Sequence, residues 1–130
     1  MSLKSVVNVT GIPKPEGVWS TVVTAKPGKL VFISGLLAKN AAGTLVGLGD
    51  LTAQTRQVCE NLKRAVEAAG GALADIVRVD VHVSDIGQFA AIHAVRREYF
   101  PSDPPASTMV EISRFTTEGA MIEMSAIAVI

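Results

Sequence analysis

Residues 77–84 alternate without a break: Val77, Val79, Val81 and Val83 point one way, Arg78, Asp80, His82 and Ser84 the other. A period of two predicts a strand with one buried face. Residues 51–69 change the period. Leu51, Thr55, Val58, Leu62, Ala65, Val66 and Ala69 recur at helical spacing, with Gln54, Arg56, Glu60, Lys63, Arg64 and Glu67 on the wet side. Asp50 stands where an N-cap belongs, and Gly70-Gly71 ends the helix. Upstream, residues 19–24 are rich in β-formers, Lys26-Pro27-Gly28-Lys29 is a turn, and residues 30–34 form a buried strand run ending at Gly35. These two strands read as a hairpin. Asn40 to Gly43 is a further turn before a short extended piece at 44–46. Asp85 with Gln88 resembles a capping box for a second helix, whose apolar stripe is Phe89, Ile92, Tyr99 and Phe100 and which Pro101, Pro104 and Pro105 stop. Two closing strands, 107–113 and 121–129, flank the Thr116–Gly119 turn.

The order β-β-(β)-α-β-α-β-β, with hairpins at both ends, predicts one α+β domain over residues 1–130 with a mixed sheet and two helices on one face. The last strand is apolar on both sides. Ile122, Met124, Ala126 and Ala128 form one face, Met121, Ile127 and Val129 the other, so the second face needs a cover that two helices do not provide. Another copy of the chain is the simplest cover.

Composition supports that expectation. Hydrophobic residues are 48% and charged residues 18% of 130, an apolar balance for a chain this small. Lys plus Arg equals Asp plus Glu at 12 each, which argues against nucleic acid as a partner. The basic pairs Lys63-Arg64 and Arg96-Arg97 both fall on predicted helices and read as solvated faces. The single cysteine, Cys59, excludes an intrachain disulfide and a multi-Cys metal site and fits a reducing compartment. Without a long apolar run or a recognisable export signal, the expectation is a cytoplasmic protein with no membrane partner.

Glu123 carries the most chemical information. It interrupts an apolar strand, where a carboxylate costs roughly 2–7 kcal/mol unless hydrogen-bonded or paired. One reading is a proton-moving or water-positioning carboxylate with a raised pKa; the other is a glutamate at a sheet edge or in an intersubunit ion pair. Ser107-Thr108 opens a strand and offers hydroxyls and backbone N–H groups to a carboxylate, or serves as ordinary turn chemistry. Ser34-Gly35 admits a ligand near the backbone or merely turns the chain. Trp19 walls a pocket or simply packs. His82 and His93 share no metal-ligand spacing, and structural or surface roles suit them. Neither a Ser-His-Asp arrangement nor a phosphate-binding glycine loop can be read.

Together these blocks resemble the Rid (reactive intermediate deaminase, RidA/YjgF-type) family. The carriers are Val31-Phe32-Ile33-Ser34-Gly35, Gln54-Thr55-Arg56-Gln57 with Glu60-Asn61-Leu62, Asp75-Ile76-Val77 with Val79, Phe89-Ala90, Tyr99-Phe100-Pro101, Pro104-Pro105-Ala106 and the closing Ile122–Ala128 block. They run in one register over about residues 5–130. The resemblance implies a chorismate-mutase-like (ferredoxin-like) subunit, a homotrimer and ligand clefts between subunits. It also implies hydrolysis of 2-imino and 2-enamino acids to 2-keto acids without metal or organic cofactor, so the partners are a small carboxylic-acid metabolite and the chain itself. Glu123 matches the family's water-positioning glutamate and Gly35 its strand-end glycine. Trp19 takes a position usually held by tyrosine, and His93 one where asparagine is common.

One member of the pattern is missing. The family's P-P-A-R-S-T-V-E reads here as Pro104-Pro105-Ala106-Ser107-Thr108-Met109-Val110-Glu111, so Ser107 stands where the carboxylate-binding arginine belongs. Arg114 is an odd number of residues away and falls on the other face of a regular strand. A neutral hydroxyl forgoes a charge-assisted pair worth about 1.5–3 kcal/mol, or roughly 10–150-fold in affinity. Two functions therefore follow: a Rid-type deaminase using Glu123, or a non-catalytic or differently catalytic metabolite-binding trimer.

Overall fold

In the computed structural model, which describes residues 2–130, Asp50 caps the long helix as its position predicts. Its carboxylate accepts from the Ala53 N–H at 3.0 Å, and α1 runs from Leu51–Ala68. The chain leaves at Gly70, whose φ of +96° a side chain would strain, while Gly71 donates to the Val66 carbonyl. Val58, Cys59, Leu62 and Val66 are fully buried, and each aliphatic side chain among them contributes about 1.5–3 kcal/mol. Gln54, expected on the wet side, is fully buried as well. Its Nε2 donates to the Gly47 and Gly119 carbonyls at 3.2 and 2.9 Å, and its Oε1 accepts from Met121 N at 2.8 Å. A buried amide with three partners satisfies the loops at both ends of the sheet's connections, which is why a polar residue occupies the inner stripe.

The strands are β1 (Lys4–Val7), β2 (Val22–Ala25), β3 (Leu30–Leu36), β4 (Ile76–Val83), β5 (Ala106–Glu111) and β6 (Ile122–Val129), with α2 (Phe89–Tyr99) between β4 and β5. The four-stranded sheet has the order β3-β6-β4-β5, and β1 pairs with β2 in a separate two-stranded ladder. The sheet is mixed, as expected, because β5 runs parallel to β4 while β6 runs antiparallel to both β3 and β4. Neither expected hairpin forms. β2 pairs with β1, Val7 facing Val22, whereas β3 pairs with the C-terminal strand β6, Leu30 facing Val129. At the other end β5 and β6 are separated by β4. The physical reason is the two-sided apolar character of β6, which earns it an interior position in the sheet. The α2 crossover then forces β4 and β5 to be parallel neighbours. The extended piece at 44–46 reduces to one bridge, Leu45 to Lys39.

Inward residues of β4 and β6 (Val79, Val81 and Val83 with Ile122, Met124, Ala126 and Ala128) pack beneath α1 and α2 and are at most 4% exposed. Val77 departs from the alternation because the β4–β6 register shifts between Ile76 and Arg78, so Ile76 is buried in its place. Among the described residues, much of the opposite face is left open, although Val129 beside Leu30 is buried. Phe32 is 72% exposed there and Leu30 59%.

Candidate functional site

Ladder register sorts the candidate residues onto two faces, since directly paired residues share a side. Ser107 pairs with Val79, which pairs with Ala126, and this row faces the helices. Val110 pairs with His82, which pairs with Glu123, and this row faces the uncovered side. Ser107 and Glu123 therefore lie on opposite faces of one sheet.

On the uncovered face, Glu123 sits in β6, an interior strand rather than an edge. Its Oε1 lies 3.2 Å from His82 Nδ1, with the two side chains 27% and 34% exposed. Between Ile33 and Leu36 the β3–β6 register slips, placing Gly35 directly against the carboxylate. A Cβ on Gly35 would stand 2.6 Å from Glu123 Cδ, so only glycine leaves the carboxylate where it is. Ser34 precedes it and is exposed. Asn61 of α1 fixes the chain just beyond, donating to the Leu37 and Lys39 carbonyls at 3.1 and 2.8 Å. Phe32 and its cross-strand partner Ile127 continue this face as an apolar wall. Thr108 also lies on this side but away from Glu123, accepting from Arg78 Nη2 at 2.8 Å while Arg78 pairs with Asp80 at 2.7 Å. It belongs to a half-exposed polar cluster, not to the pocket with Ser107.

On the helix side, Trp19, His93, Arg96, Ser107 and Met109 line a cavity of about 190 Å³. Trp19 is delivered by a segment that extends the sheet beyond β5: Ser20 donates its N–H to the Pro105 carbonyl at 3.0 Å and its hydroxyl to Pro104 O. The Trp19 and His93 rings stand 5.9 Å apart, and Phe89, expected in the helix stripe but 52% exposed, meets His93 edge-on at 5.9 Å. Burial, then the nearby Arg96 and Arg97 charges, lower the His93 pKa below its ordinary value.

Two residues of these groups escaped the sequence reading. Arg96 is 1% exposed, correcting its assignment to a solvated pair; only Arg97 points outward. The signal was present, because Arg96 follows the buried Ile92 by four residues and so shares its stripe. His82 was visible on the polar side of β4, but its place beside Glu123 depends on an antiparallel register that one sequence does not specify. Cys59 is buried, its thiol pushed up to about 12 chiefly by burial, and is no nucleophile. Arg114 lies beyond the end of β5, exposed in the loop to β6 and remote from Ser107.

Mixed four-stranded sheet, helix pair and strand-end glycine define a small α+β subunit of chorismate-mutase-like shape. A model of the family described as Endoribonuclease L-PSP matches residues 9–130, and the chain belongs to that family, known also as Rid/YjgF. It is 38% identical over 126 residues to a RutC family protein of Pyrococcus horikoshii, covering 97% of this chain and 98% of that one. It is 36% identical to protein DfrA of Myxococcus xanthus, with 90% and 88% covered. Among solved structures, the Rid family protein YyfB of Yersinia pestis superposes with a TM-score of 0.91 at 33% identity, covering 98% and 99%. RidA of an Antarctic Psychrobacter superposes at 0.74 with 30% identity, covering 97% and 99%. Membership supports small-molecule processing as the functional class. Among the described residues, no helix is long and apolar enough to cross a membrane.

Proposed function

We propose that the protein is a cofactor-free deaminase that hydrolyses small 2-imino and 2-enamino acids to 2-keto acids and ammonia, in clefts formed between copies of the chain. The observation that carries this reading is the Glu123 carboxylate, held in an interior strand between Gly35 and His82 beside the Phe32–Ile127 apolar wall. A carboxylate so placed can accept a proton from water while the water oxygen adds to C2 of an imine. The nitrogen takes up a proton, the C–N bond of the resulting amino-alcohol breaks, ammonia leaves and the 2-keto acid remains. An enamine first takes a proton at C3 and gives one up from nitrogen to become the imine.

The homotrimer is part of the proposal. One chain presents its two half-sites on opposite faces, so a cleft containing both needs the Glu123 side of one copy against the Trp19, His93 and Ser107 edge of another. Exposed Phe32 and Leu30 on the uncovered face supply the means of association. A second reading, a metabolite-binding trimer without this activity, draws on Ser107 in the place of the family arginine. RNA cleavage, which the family description names, gains no support from a chain with equal numbers of basic and acidic residues.

Ammonia release from freshly generated 2-aminoacrylate separates these readings. The wild type is expected to exceed the spontaneous rate, and Glu123→Ala to lose about 100-fold or more of that acceleration. A wild type no faster than the spontaneous reaction overturns the deaminase and leaves the binding protein. Restoration of turnover only by Ser107→Arg has the same meaning for the natural chain.

A further inference from the structure

Arg96 is buried to 1% exposure and has been left largely unpartnered. Its Nη2 donates to Ser107 Oγ at 3.1 Å, while its buried Nε has no acceptor. Among the described residues the ion pairs are Arg56–Glu98 and Arg78–Asp80, with His82 hydrogen-bonded to Glu123, and none of these contacts involves Arg96. A guanidinium has five donors and does not surrender its charge readily, so burying one with a single neutral partner is costly. Buried charges are ordinarily paired, so the open donors of Arg96 are suited to an anion that would complete them. The space into which it opens is the cavity with Trp19, His93, Ser107 and Met109.

We propose that Arg96 is the carboxylate-binding residue of this cleft, its guanidinium aimed by Ser107, and that the cavity selects small planar monocarboxylates. The charge that the family pattern places on β5 is thus supplied from α2 beneath it, and Ser107 becomes the hydrogen-bonded support of that charge instead of its weak replacement. The flat Trp19 and His93 rings wall the cavity and favour a planar chain behind the carboxylate. His93 is held toward its neutral form, so the cavity carries one positive charge and matches one carboxylate better than a dianion. That this carboxylate belongs to the substrate rests on the deaminase reading; the anion site itself does not.

Calorimetric titration with benzoate, and with neutral benzamide as its isostere, tests the site. Wild type is expected to bind benzoate saturably and benzamide much more weakly. Arg96→Gln is expected to weaken benzoate by about tenfold or more, while the exposed-loop variant Arg114→Gln binds as wild type does. A folded Arg96→Gln that binds benzoate as tightly as wild type overturns the proposal. A second measurement needs no variant: an anion bound at Arg96 neutralises a charge that disfavours the His93 imidazolium, so the His93 ring titrates at higher pH in saturating benzoate. No upward movement overturns the proposal as well. The two readings fail separately. Arg96-dependent benzoate binding without ammonia release removes the deaminase and keeps the anion site. Ammonia release in wild type together with benzoate binding unchanged in Arg96→Gln removes the anion site and keeps the deaminase.

Discussion

The Glu123 carboxylate occupies the space that a side chain on Gly35 would need, since a Cβ there would lie 2.6 Å from Glu123 Cδ and 2.9 Å from either oxygen. Gly35→Ala must therefore push the carboxylate away from its His82 contact. The backbone at Gly35 does not lie in the left-handed region, so strain is not the issue and the displacement is the main effect. Displacement of about 1 Å is enough to cost roughly 100-fold in rate. Gly35→Ala is expected to melt within a few degrees of wild type yet lose most ammonia release from 2-aminoacrylate. Turnover equal to wild type would place the reacting water elsewhere.

Gln54 supports the fold from the opposite direction. Replacement by alanine leaves the Gly47 and Gly119 carbonyls and the Met121 N–H short of a buried partner. Each orphaned group costs about 1–3 kcal/mol. Because Met121 immediately precedes β6, the loss reaches the strand that carries Glu123. Gln54→Ala is expected to lower the urea-denaturation free energy by about 3 kcal/mol or more; a change below about 1 kcal/mol would mean that water replaces the amide freely.

Local elements were legible in the residues and pairings were not. Asp50, Gly70 and the valine alternation of β4 act within one turn or one strand, so spacing alone reveals them. Strand partners depend on which buried faces compete for the sheet interior. Here the two-sided β6 takes β3 as a partner in place of β2, β4 stands between β5 and β6, and the proline–glycine turn at 27–28 joins strands of different sheets. The same limit governs the site. Glu123 and Gly35 could be singled out from the residues, but His82 becomes a neighbour only through register. Arg96 was lost because a basic pair suggests solvent, although its phase on α2 matches Ile92.

His93 gives the fold a definite pH response. Burial, Arg96 and Arg97 lower its pKa in the folded chain, whereas the unfolded chain takes the proton near 6.5. The unfolded state thus binds more protons between the two values, so stability is full above about pH 6.5 and falls as pH drops through the folded-state value. His93→Asn, which cannot titrate, is expected to remove this component. Urea midpoints from pH 8 to 5 should give a wild-type-minus-variant difference that is level above pH 6.5 and declines below it. A difference independent of pH would place the ring in freely exchanging solvent.

The proposed cleft depends on assembly, and Phe32 is the most exposed large apolar residue on the uncovered sheet face. Phe32 is 72% exposed and pairs across the ladder with Ile127, while Leu30, two residues away on the same side, is 59% exposed. Burial of each phenylalanine between copies is worth about 1.5–3 kcal/mol, and a closed ring of subunits repeats the gain at every interface. An aspartate there exchanges that gain for the cost of desolvating a charge. Phe32→Asp is expected to run as a monomer by size-exclusion chromatography with light scattering, to keep its far-ultraviolet circular dichroism, and to lose ammonia release although Glu123, Arg96 and Ser107 are intact. Retained activity in a monomer would mean that one chain suffices, which the opposite-face placement of Ser107 and Glu123 argues against. Retained assembly would move the interface to another surface and leave the exposure of Phe32 to be accounted for by some other contact.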